Sequence, residues 1–260
     1  MEKEETPPWF VALPCYLNPL PTSPLDAIRS EFEYAVVPTE LATPKGKLEA
    51  FVWLAKEFPL HLGPLITLGG EAQTTLVTYP ALASSMDTSE LCVLYLSQFP
   101  RLSLEPDASP LSSTMSTLLG LRPPPSGFPK LETPLDPKNL IYLGLETLEP
   151  EEEFLLQEQG IRFYKGKTLQ KIGLLPLLER ILKDRKNMSF YLVLDFSFFS
   201  HKEFPAVHRR GNRGMEPETF AYLWALLEER VRGVDIVGFY RHPGSGAFVR
   251  SVKVYKQLVS

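Results

Sequence analysis

A chain of 260 residues with 44% apolar and 22% charged residues has the composition of an ordinary globular protein, and it suffices for one large α/β domain. The net charge of −4 excludes a general attraction to nucleic acid or to an anionic membrane. Two cysteines, Cys15 and Cys92, are too few for a disulfide framework. No apolar run reaches the roughly 18 residues of a membrane span, and the acidic residues 1–5 lack the apolar core of a secretion signal. These features predict a cytoplasmic protein with no nucleic-acid or membrane partner.

Short apolar runs in the first half of the chain predict buried strands over residues 9–17, 34–37, 64–68 and 91–96. Two helices are predicted between them. The first follows Thr43-Pro44 and carries an apolar stripe at helical spacing, made of Leu48, Phe51, Val52 and Ala55. The second covers residues 71–85, directly after the Gly69-Gly70 turn.

Residues 100–137 form a long connection that is rich in proline, serine and leucine. Only a short helix near residues 113–120 is predicted within it. Connections of this length are typically functional or mobile. We therefore expect this segment to be functional or mobile rather than a mere linker.

The second half has a clearer alternation, with strands predicted over residues 140–145, 161–164, 189–195 and 234–239. Helices are predicted over residues 150–159, from residue 174 onward, and from Pro217, where one face carries Phe220, Leu223, Trp224, Leu227 and Val231. Strands that are apolar on both faces and alternate with helices predict a three-layer α/β/α fold with a mainly parallel central sheet. No repeat or composition shift marks a boundary, so residues 1–260 are interpreted as a single domain.

Ligands of an open parallel sheet bind beyond the carboxyl ends of its strands, and several of these ends carry a recognisable pattern. PLITLGGEAQTT resembles a strand ending in Gly-Gly-Asp-His, and LCVLYLSQFPRLS lies where Asp-Ala-His-x-Asp would follow. SFYLVLDFSFFSH resembles Ser-Phe-Asp-x-Asp-x-x-Asp-Pro, and VDIVGFYRHP resembles Leu-Asp-Leu-Val-Glu-x-Asn-Pro. In this order and spacing, the segments resemble the ureohydrolase (arginase, agmatinase and formiminoglutamase) superfamily.

The resemblance implies an arginase-like fold and a pair of manganese ions at the strand ends. Such a pair activates a bridging water, by lowering its pKa, for attack on a guanidinium carbon. The site requires several carboxylates and imidazoles around the two ions.

Carried over position by position, the family's ligands fall mostly on residues that cannot bind a metal. Only Asp195 keeps a ligand type, and Arg101 places a cation where a metal ion would bind. The resemblance therefore predicts that the manganese pair is absent and that the chain has no cofactor. The vestigial metal-site positions, including the one for the glutamate that would contact the guanidinium group, are Ala72, Ser97, Phe99, Arg101, Asp195, Ser197 and Gly238.

Two hypotheses concern what replaces the metal site. In the first, Arg101 and Asp195 form a structural ion pair in the old metal position. In the second, a divergent mononuclear metal site or a ligand cleft uses residues at or just after strand ends. A solvated loop remains the simpler interpretation of the two histidines and of the basic run at 208–213. The possible cleft residues are Glu71, His201, His208, Arg209, Arg210, Arg213 and Glu216.

Other kinds of site find little support. Ser97 and Ser197 do not lie in a Gly-x-Ser-x-Gly turn, and the Gly69-Gly70 turn lacks the lysine and spacing of a phosphate-binding loop. Cys92 lies inside an apolar strand and is interpreted as a core residue.

The sequence thus predicts a catalytically inactive protein of arginase fold that has a binding, regulatory or assembly role, as a homo-oligomer or with a partner protein. The resemblance makes residues 100–137 the candidate contact region, because they replace the substrate and metal loop of the active family. One alternative is a divergent metal-dependent hydrolase of guanidino or amidino C–N bonds. Another is a small-molecule sensor in which the basic run at 208–213 holds an anionic ligand in the vacated cleft.

Overall fold

The structure is a computed structural model that describes residues 64–238 apart from residues 85, 127, 129, 147, 203 and 205–213, together with the backbone of residues 9–13 and 35–36. The strands are β1 (Trp9–Leu13), β2 (Ala35–Val36), β3 (Leu65–Gly69), β4 (Leu91–Leu96), β5 (Leu140–Leu145), β6 (Arg162–Lys165), β7 (Ser189–Asp195) and β8 (Val231–Val237). They form one eight-stranded sheet in the order β2-β1-β3-β8-β7-β4-β5-β6. Every pairing is parallel.

Helices cover both faces of this sheet. They are α1 (Thr75–Ala83), α2 (Thr114–Leu118), α3 (Pro150–Glu158), α4 (Gly166–Ile172), α5 (Leu174–Asp184) and α6 (Glu218–Leu227). Buried residues of α1, α2 and α3 share one hydrophobic cluster with one face of the sheet, and those of α4, α5 and α6 share a second cluster with the other face. No helix in the described part of the chain is long and apolar enough to cross a membrane.

Strand β4 shows why the apolar runs become central strands. All six of its residues are buried. Alternate side chains enter opposite clusters: Val93 and Tyr95 lie on the α1 side, and Leu94 lies on the α5 side. A strand with helices on both faces must be apolar at every position, so the run LCVLYL predicts this environment correctly.

The three-layer fold is confirmed, and most element bounds agree with the sequence predictions within a few residues. One prediction was wrong. Val231 lies in β8 and pairs with Phe190, rather than extending the apolar face of α6, because a 3-10 turn ends the helix before it. Helix α4 was not predicted, since its seven residues bury only Gly166 and Leu169 and show no clear apolar stripe. The helix predicted around Phe51 lies outside the described residues, as do residues 14–17.

The connection over residues 100–137 packs against the sheet rather than forming a loose linker. Its short helix α2 confirms the predicted one, and Met115 and Leu118 on that helix are fully buried. Leu111 and Leu135 also enter the cluster on the α1 side. The weak periodicity of this segment reflects its many short turns, which bury apolar side chains without a long helix or strand.

Gly144 gives a test of close packing within the sheet. It lies in β5 with a φ of +96°, and a Cβ atom there would lie 2.7 Å from the Phe198 ring. We expect Gly144→Ala to lower the free energy of unfolding by about 2–5 kcal/mol, through backbone strain and overpacking together. Gly160→Ala is the matched control: its φ is +65° with nothing within 4 Å, so only the ~1–2 kcal/mol of strain applies. Equal losses in chemical denaturation would contradict the packing argument.

Candidate functional site at the strand ends

The sheet brings together the strand ends that the family motifs mark. Leu96 of β4 pairs with Leu194 of β7, so Ser97 and Asp195 leave the sheet side by side. Asp195 in turn pairs with Val237 of β8, which places Gly238 next to it. The carboxyl ends of three neighbouring strands therefore meet around the Asp195 carboxylate.

Both oxygens of this carboxylate have partners within the protein. Arg101 Nη2 donates to Oδ2 at 3.0 Å, and the Ser197 backbone N–H donates to Oδ1 at 2.8 Å. The Ser97 hydroxyl lies 3.4 Å from Oδ2. The exposed fractions of the Arg101 and Asp195 side chains are only 11% and 3%. The predicted ion pair is therefore present, and it is largely shielded from water.

The two serines complete what we call the strand-end network, formed by Ser97, Arg101, Asp195 and Ser197. The Ser97 and Ser197 hydroxyls lie 3.2 Å apart. The backbone N–H of Phe99 donates to Ser97 Oγ at 3.1 Å, and that of Gln98 approaches Ser197 Oγ at 3.4 Å. Both hydroxyls thus accept hydrogen bonds from the backbone of the turn after β4, so both have a structural role.

Arg101 adopts an unusual backbone conformation, since its φ of +56° is the only positive value among the described non-glycine residues. A left-handed conformation costs an ordinary residue roughly 1–2 kcal/mol. Its side chain compensates by pairing with Asp195 and by lying over the Phe99 ring, with Cζ 5.3 Å from the ring centroid. Burial is the largest single influence and opposes the charged guanidinium, but Asp195 and Tyr95 together outweigh it, so the pKa of Arg101 is raised above its ordinary value.

Gly238 closes the network from the β8 side. Its N–H donates to the Gly70 carbonyl at 2.8 Å, which joins the ends of β8 and β3. Its φ is +85°, and a Cβ atom there would lie 2.7 Å from Asp195 Oδ1. No side chain can be added at this position without movement of the backbone or of Asp195.

A layer of phenylalanine rings fills the space beside the network. The rings of Phe196 and Phe204 are stacked, with centroids 3.9 Å apart and planes 9° apart, and Phe199 lies 5.8 Å from Phe196. Phe198 contacts Phe199 edge-on at 5.8 Å. All four side chains are at most 2% exposed. The four rings therefore belong to the hydrophobic core. They form no part of the polar cleft that one of the alternatives predicted.

The possible cleft residues that the structure describes differ in how exposed they are. Glu71 is 3% exposed and accepts a hydrogen bond from Gln73 Nε2 at 3.0 Å. His201 and Glu216 are exposed. The remaining predicted members lie outside the described residues, so their common cleft stays a prediction; they are His208, Arg209, Arg210 and Arg213.

Two further observations bear on ligand binding near the network. Among the described residues, no three His, Cys, Asp or Glu side chains come together in a group that could hold a metal ion. A cleft of about 90 Å³ borders Arg101, Ser112 and Glu152, which is small beside the roughly 300–1,000 Å³ of typical small-molecule pockets. Ala72, the position of the family's first histidine, is 1% exposed and packs in the core.

A family model described as the arginase family matches residues 48–242, about three quarters of the chain. The chain belongs to the arginase family. It is 24% identical to mitochondrial arginase-2 of Mus musculus over 151 residues, which cover 54% of this chain and 42% of that protein. It is 25% identical to non-hepatic arginase 3 of Xenopus laevis over 166 residues, covering 59% and 46%. These matches thus span less than half the length of either relative.

Solved structures of the family support the same fold for this arginase-family chain. An arginase from Entamoeba histolytica, solved in complex with L-ornithine, matches with a TM-score of 0.81 at 15% identity and covers 97% of this chain and 98% of that one. A formimidoylglutamase from Bacillus subtilis matches with a TM-score of 0.78 at 15% identity, covering 96% and 84%. At such low identity, the likeness establishes the fold alone.

Sequence reasoning missed several members of this region of the arginase-family chain. The stacking of Phe204 on Phe196 was not predicted, although the run FSFFSHKEF is unusually aromatic for a segment that follows a strand. The packing of Gly238 against Asp195 was also not predicted, because the sequence alone gives neither its φ nor its distance from the carboxylate.

The ion pair can be tested by removing Arg101. We expect Arg101→Ala to lower the free energy of unfolding by about 3–5 kcal/mol, because it leaves the buried Asp195 carboxylate without a counter-charge. Arg101→Gly removes the same side chain but relieves the left-handed backbone, so it should cost about 1 kcal/mol less than the alanine variant. Chemical denaturation measures both.

The double variant Arg101→Ala/Asp195→Asn serves as the control for this pair. Since it removes both charges, its loss should be clearly smaller than the sum of the two single losses. Additive losses, or a neutral Arg101→Ala, would show that the two side chains do not stabilise each other.

Proposed function

We propose that this arginase-family chain is a pseudoenzyme: it does not hydrolyse guanidino compounds, and it acts by binding another protein surface. The observation that carries the first part is the Arg101–Asp195 ion pair at 3.0 Å. It places a guanidinium group of the protein itself against the carboxylate that best matches a family metal ligand.

The donor set around Asp195 does not fit a pair of divalent ions. Such ions require several anionic oxygens or imidazoles in a defined geometry. Here the neighbours of the carboxylate are a cation, one serine hydroxyl and one backbone N–H, and both carboxylate oxygens already accept hydrogen bonds. A metal ion next to Asp195 would have to displace Arg101 and then lie near a buried positive charge.

The position of the substrate-contacting glutamate supports the same proposal. It falls on Gly238, and even a Cβ atom there would lie 2.7 Å from Asp195 Oδ1. An extended carboxylate at this place would also lie near Asp195, and the two like charges would repel each other. The strand ends are therefore shaped around the ion pair rather than around a guanidinium substrate.

The two alternatives are less well supported by the described residues. A divergent hydrolase would need ligands near His201, yet that side chain is exposed while Glu71 is buried. A sensor would need an open cleft beside the network, and the cleft that borders Arg101 measures only about 90 Å³. Neither alternative gains a specific contact that favours it.

Metal content and turnover test the inactive state together. The purified chain, incubated with manganese and then dialysed, should contain well under one tightly bound metal ion per chain. It should release no urea from arginine or agmatine and should not consume formiminoglutamate, because the described residues offer no donor set for the water-activating ions. Mass spectrometry of the metal and a urea assay measure this, with an active arginase treated identically as the control. A stoichiometric manganese pair, or turnover of any of these substrates, would refute the pseudoenzyme proposal.

The binding role is supported by the outer side of α6. Its inner residues Phe220 and Leu223 are buried, while Tyr222 and Leu226 are 59% and 40% exposed. The helix is therefore apolar on both sides, which is typical of helices that become covered. The proposed first partner is a second copy of this chain, in line with the homo-oligomer that the sequence analysis expects.

Solution mass tests self-association. We expect a mass above that of the monomer, measured by light scattering across a dilution series, because association would cover the exposed apolar residues of α6. Tyr222→Glu/Leu226→Glu should shift the protein toward monomer. Phe154→Glu on α3 is the matched control, since Phe154 is also exposed, at 65%, but lies on the opposite face of the sheet. A monomer at every concentration would reject self-association, and an equal shift with Phe154→Glu would reject α6 as the contact.

A further inference from the structure

A second buried carboxylate, unrelated to the strand-end network, lies in the middle of β8. Asp235 is 0% exposed and pairs in register with Thr67 of β3. It faces Thr78 on α1 and Tyr191 on β7, which are at most 1% exposed. Among the ion pairs between described residues, none involves Asp235. A carboxylate without a counter-charge is costly in such a place, so its protonation state requires explanation.

Three oxygen atoms form a closed triangle at this point. The Tyr191 hydroxyl lies 2.6 Å from Asp235 Oδ2, and Thr78 Oγ1 lies 2.7 Å from the same oxygen. The Tyr191 hydroxyl and Thr78 Oγ1 are themselves 2.8 Å apart. All three separations are those of O–H···O hydrogen bonds.

Counting protons decides how these contacts are made. Each hydrogen bond requires one proton between its two oxygens, so the triangle requires three. Tyr191 and Thr78 carry one hydroxyl proton each, and the weaker contact of Thr78 Oγ1 with the Thr74 carbonyl at 3.2 Å competes for one of them. If Asp235 were ionised, one pair of oxygens would face each other without a proton. A neutral carboxylic acid supplies the missing one.

We propose that Asp235 is a buried proton-binding site, which holds one proton in the folded protein so that Asp235, Tyr191 and Thr78 form a ring of three hydrogen bonds. The proton takes the place that a metal ion or an arginine takes beside other buried carboxylates. The site therefore needs neither a cofactor nor a partner.

The surroundings of the carboxyl group support a neutral state. Burial is the largest influence and raises the pKa of Asp235, while hydrogen bonds from Tyr191 and Thr78 act in the opposite direction. The hydroxyls of Thr75 and Thr67 also lie near the carboxyl group, but neither they nor Oδ1 form a hydrogen bond of good geometry among the described residues.

Among the described residues, the titratable groups that face Asp235 are tyrosines, which are uncharged at neutral pH. Tyr191 on β7 and Tyr95 on β4 both interact with its charge, and Tyr79 on α1 contacts the Tyr191 ring at 5.8 Å. Burial raises the pKa of each of these tyrosines further. None of them can supply the positive charge that an ionised Asp235 would need.

A stability dependence on pH follows, and its sign is fixed. The unfolded chain ionises Asp235 near the ordinary pKa of about 4, whereas the folded protein keeps the proton to a higher pH. The stabilising effect of the ring is therefore complete below the unfolded pKa and is lost as the pH rises to the folded pKa. Within that window, the folding constant falls about tenfold per pH unit from this residue alone.

The decisive variant is Asp235→Asn, because its amide can donate to Tyr191 and Thr78 without ionising. The ratio of the wild-type to the variant folding constant, obtained by chemical denaturation above about pH 5, should fall about tenfold per pH unit until the folded pKa is reached. Asp184→Asn is the matched control: it makes the same substitution at a side chain that is 54% exposed, so a slope that both variants share would not come from the Asp235 ring. A flat ratio for Asp235→Asn would overturn the proposal.

Infrared spectroscopy of the wild type gives an independent readout if the asparagine variant does not fold. At about pH 6, ordinary Asp and Glu side chains are ionised, so a neutral carboxylic acid is visible by its carbonyl stretch, and the response to Tyr191→Phe assigns that band to Asp235. The band should shift in Tyr191→Phe, which loses the two hydrogen bonds that the Tyr191 hydroxyl makes in the ring, and should stay unchanged in Asp184→Asn. Absence of the band in the folded wild type, or a band that Tyr191→Phe leaves unchanged, would overturn the proposal.

Discussion

The ends of the central strands depend on one interaction, the buried ion pair of Arg101 with Asp195. A carboxylate at this place, 3% exposed, cannot remain charged without a close positive partner. Arg101 supplies that partner at the cost of a left-handed backbone. Gly238 supplies the room, because any side chain there would collide with the carboxylate. The left-handed conformation of Arg101 and the glycine at position 238 thus both serve the same ion pair.

The two buried aspartates illustrate different solutions to the same electrostatic problem. Asp195 pairs with a guanidinium and accepts further hydrogen bonds from the backbone and a serine. Asp235 has no such cation among its described contacts and has two hydroxyls instead. In our proposal, a proton takes the place of the counter-ion there. A central sheet can therefore hold carboxylates in its interior without a metal ion, provided that each one has a specific neutralising partner.

The sequence predicts the fold well because a parallel sheet imposes a strong pattern. Runs such as LCVLYL must be apolar at every position, and their order with the amphipathic helices fixes the layers. The ion pair was also predictable, since Arg101 and Asp195 follow two strands that the family pattern places together. Two other features depend on contacts and conformations that the sequence pattern does not reveal. The three oxygens of the Asp235 ring come from three elements that are far apart in the chain, and the conformation of Gly238 leaves no trace in its residue type.

In our proposal, an exchange of metal ligands for an ion pair explains how an arginase fold persists in a pseudoenzyme. Strand ends rich in carboxylates repel one another unless cations neutralise them, so loss of metal ligands one at a time would leave unpaired charge. By the family resemblance, the positions of the acidic ligands hold Ser97, Arg101 and Ser197. The remaining carboxylate, that of Asp195, has its counter-charge on Arg101 of the same chain. The local charge is balanced by the chain itself. In the proposed pseudoenzyme, folding therefore does not depend on a supply of metal ions, and the fold serves as a binding surface.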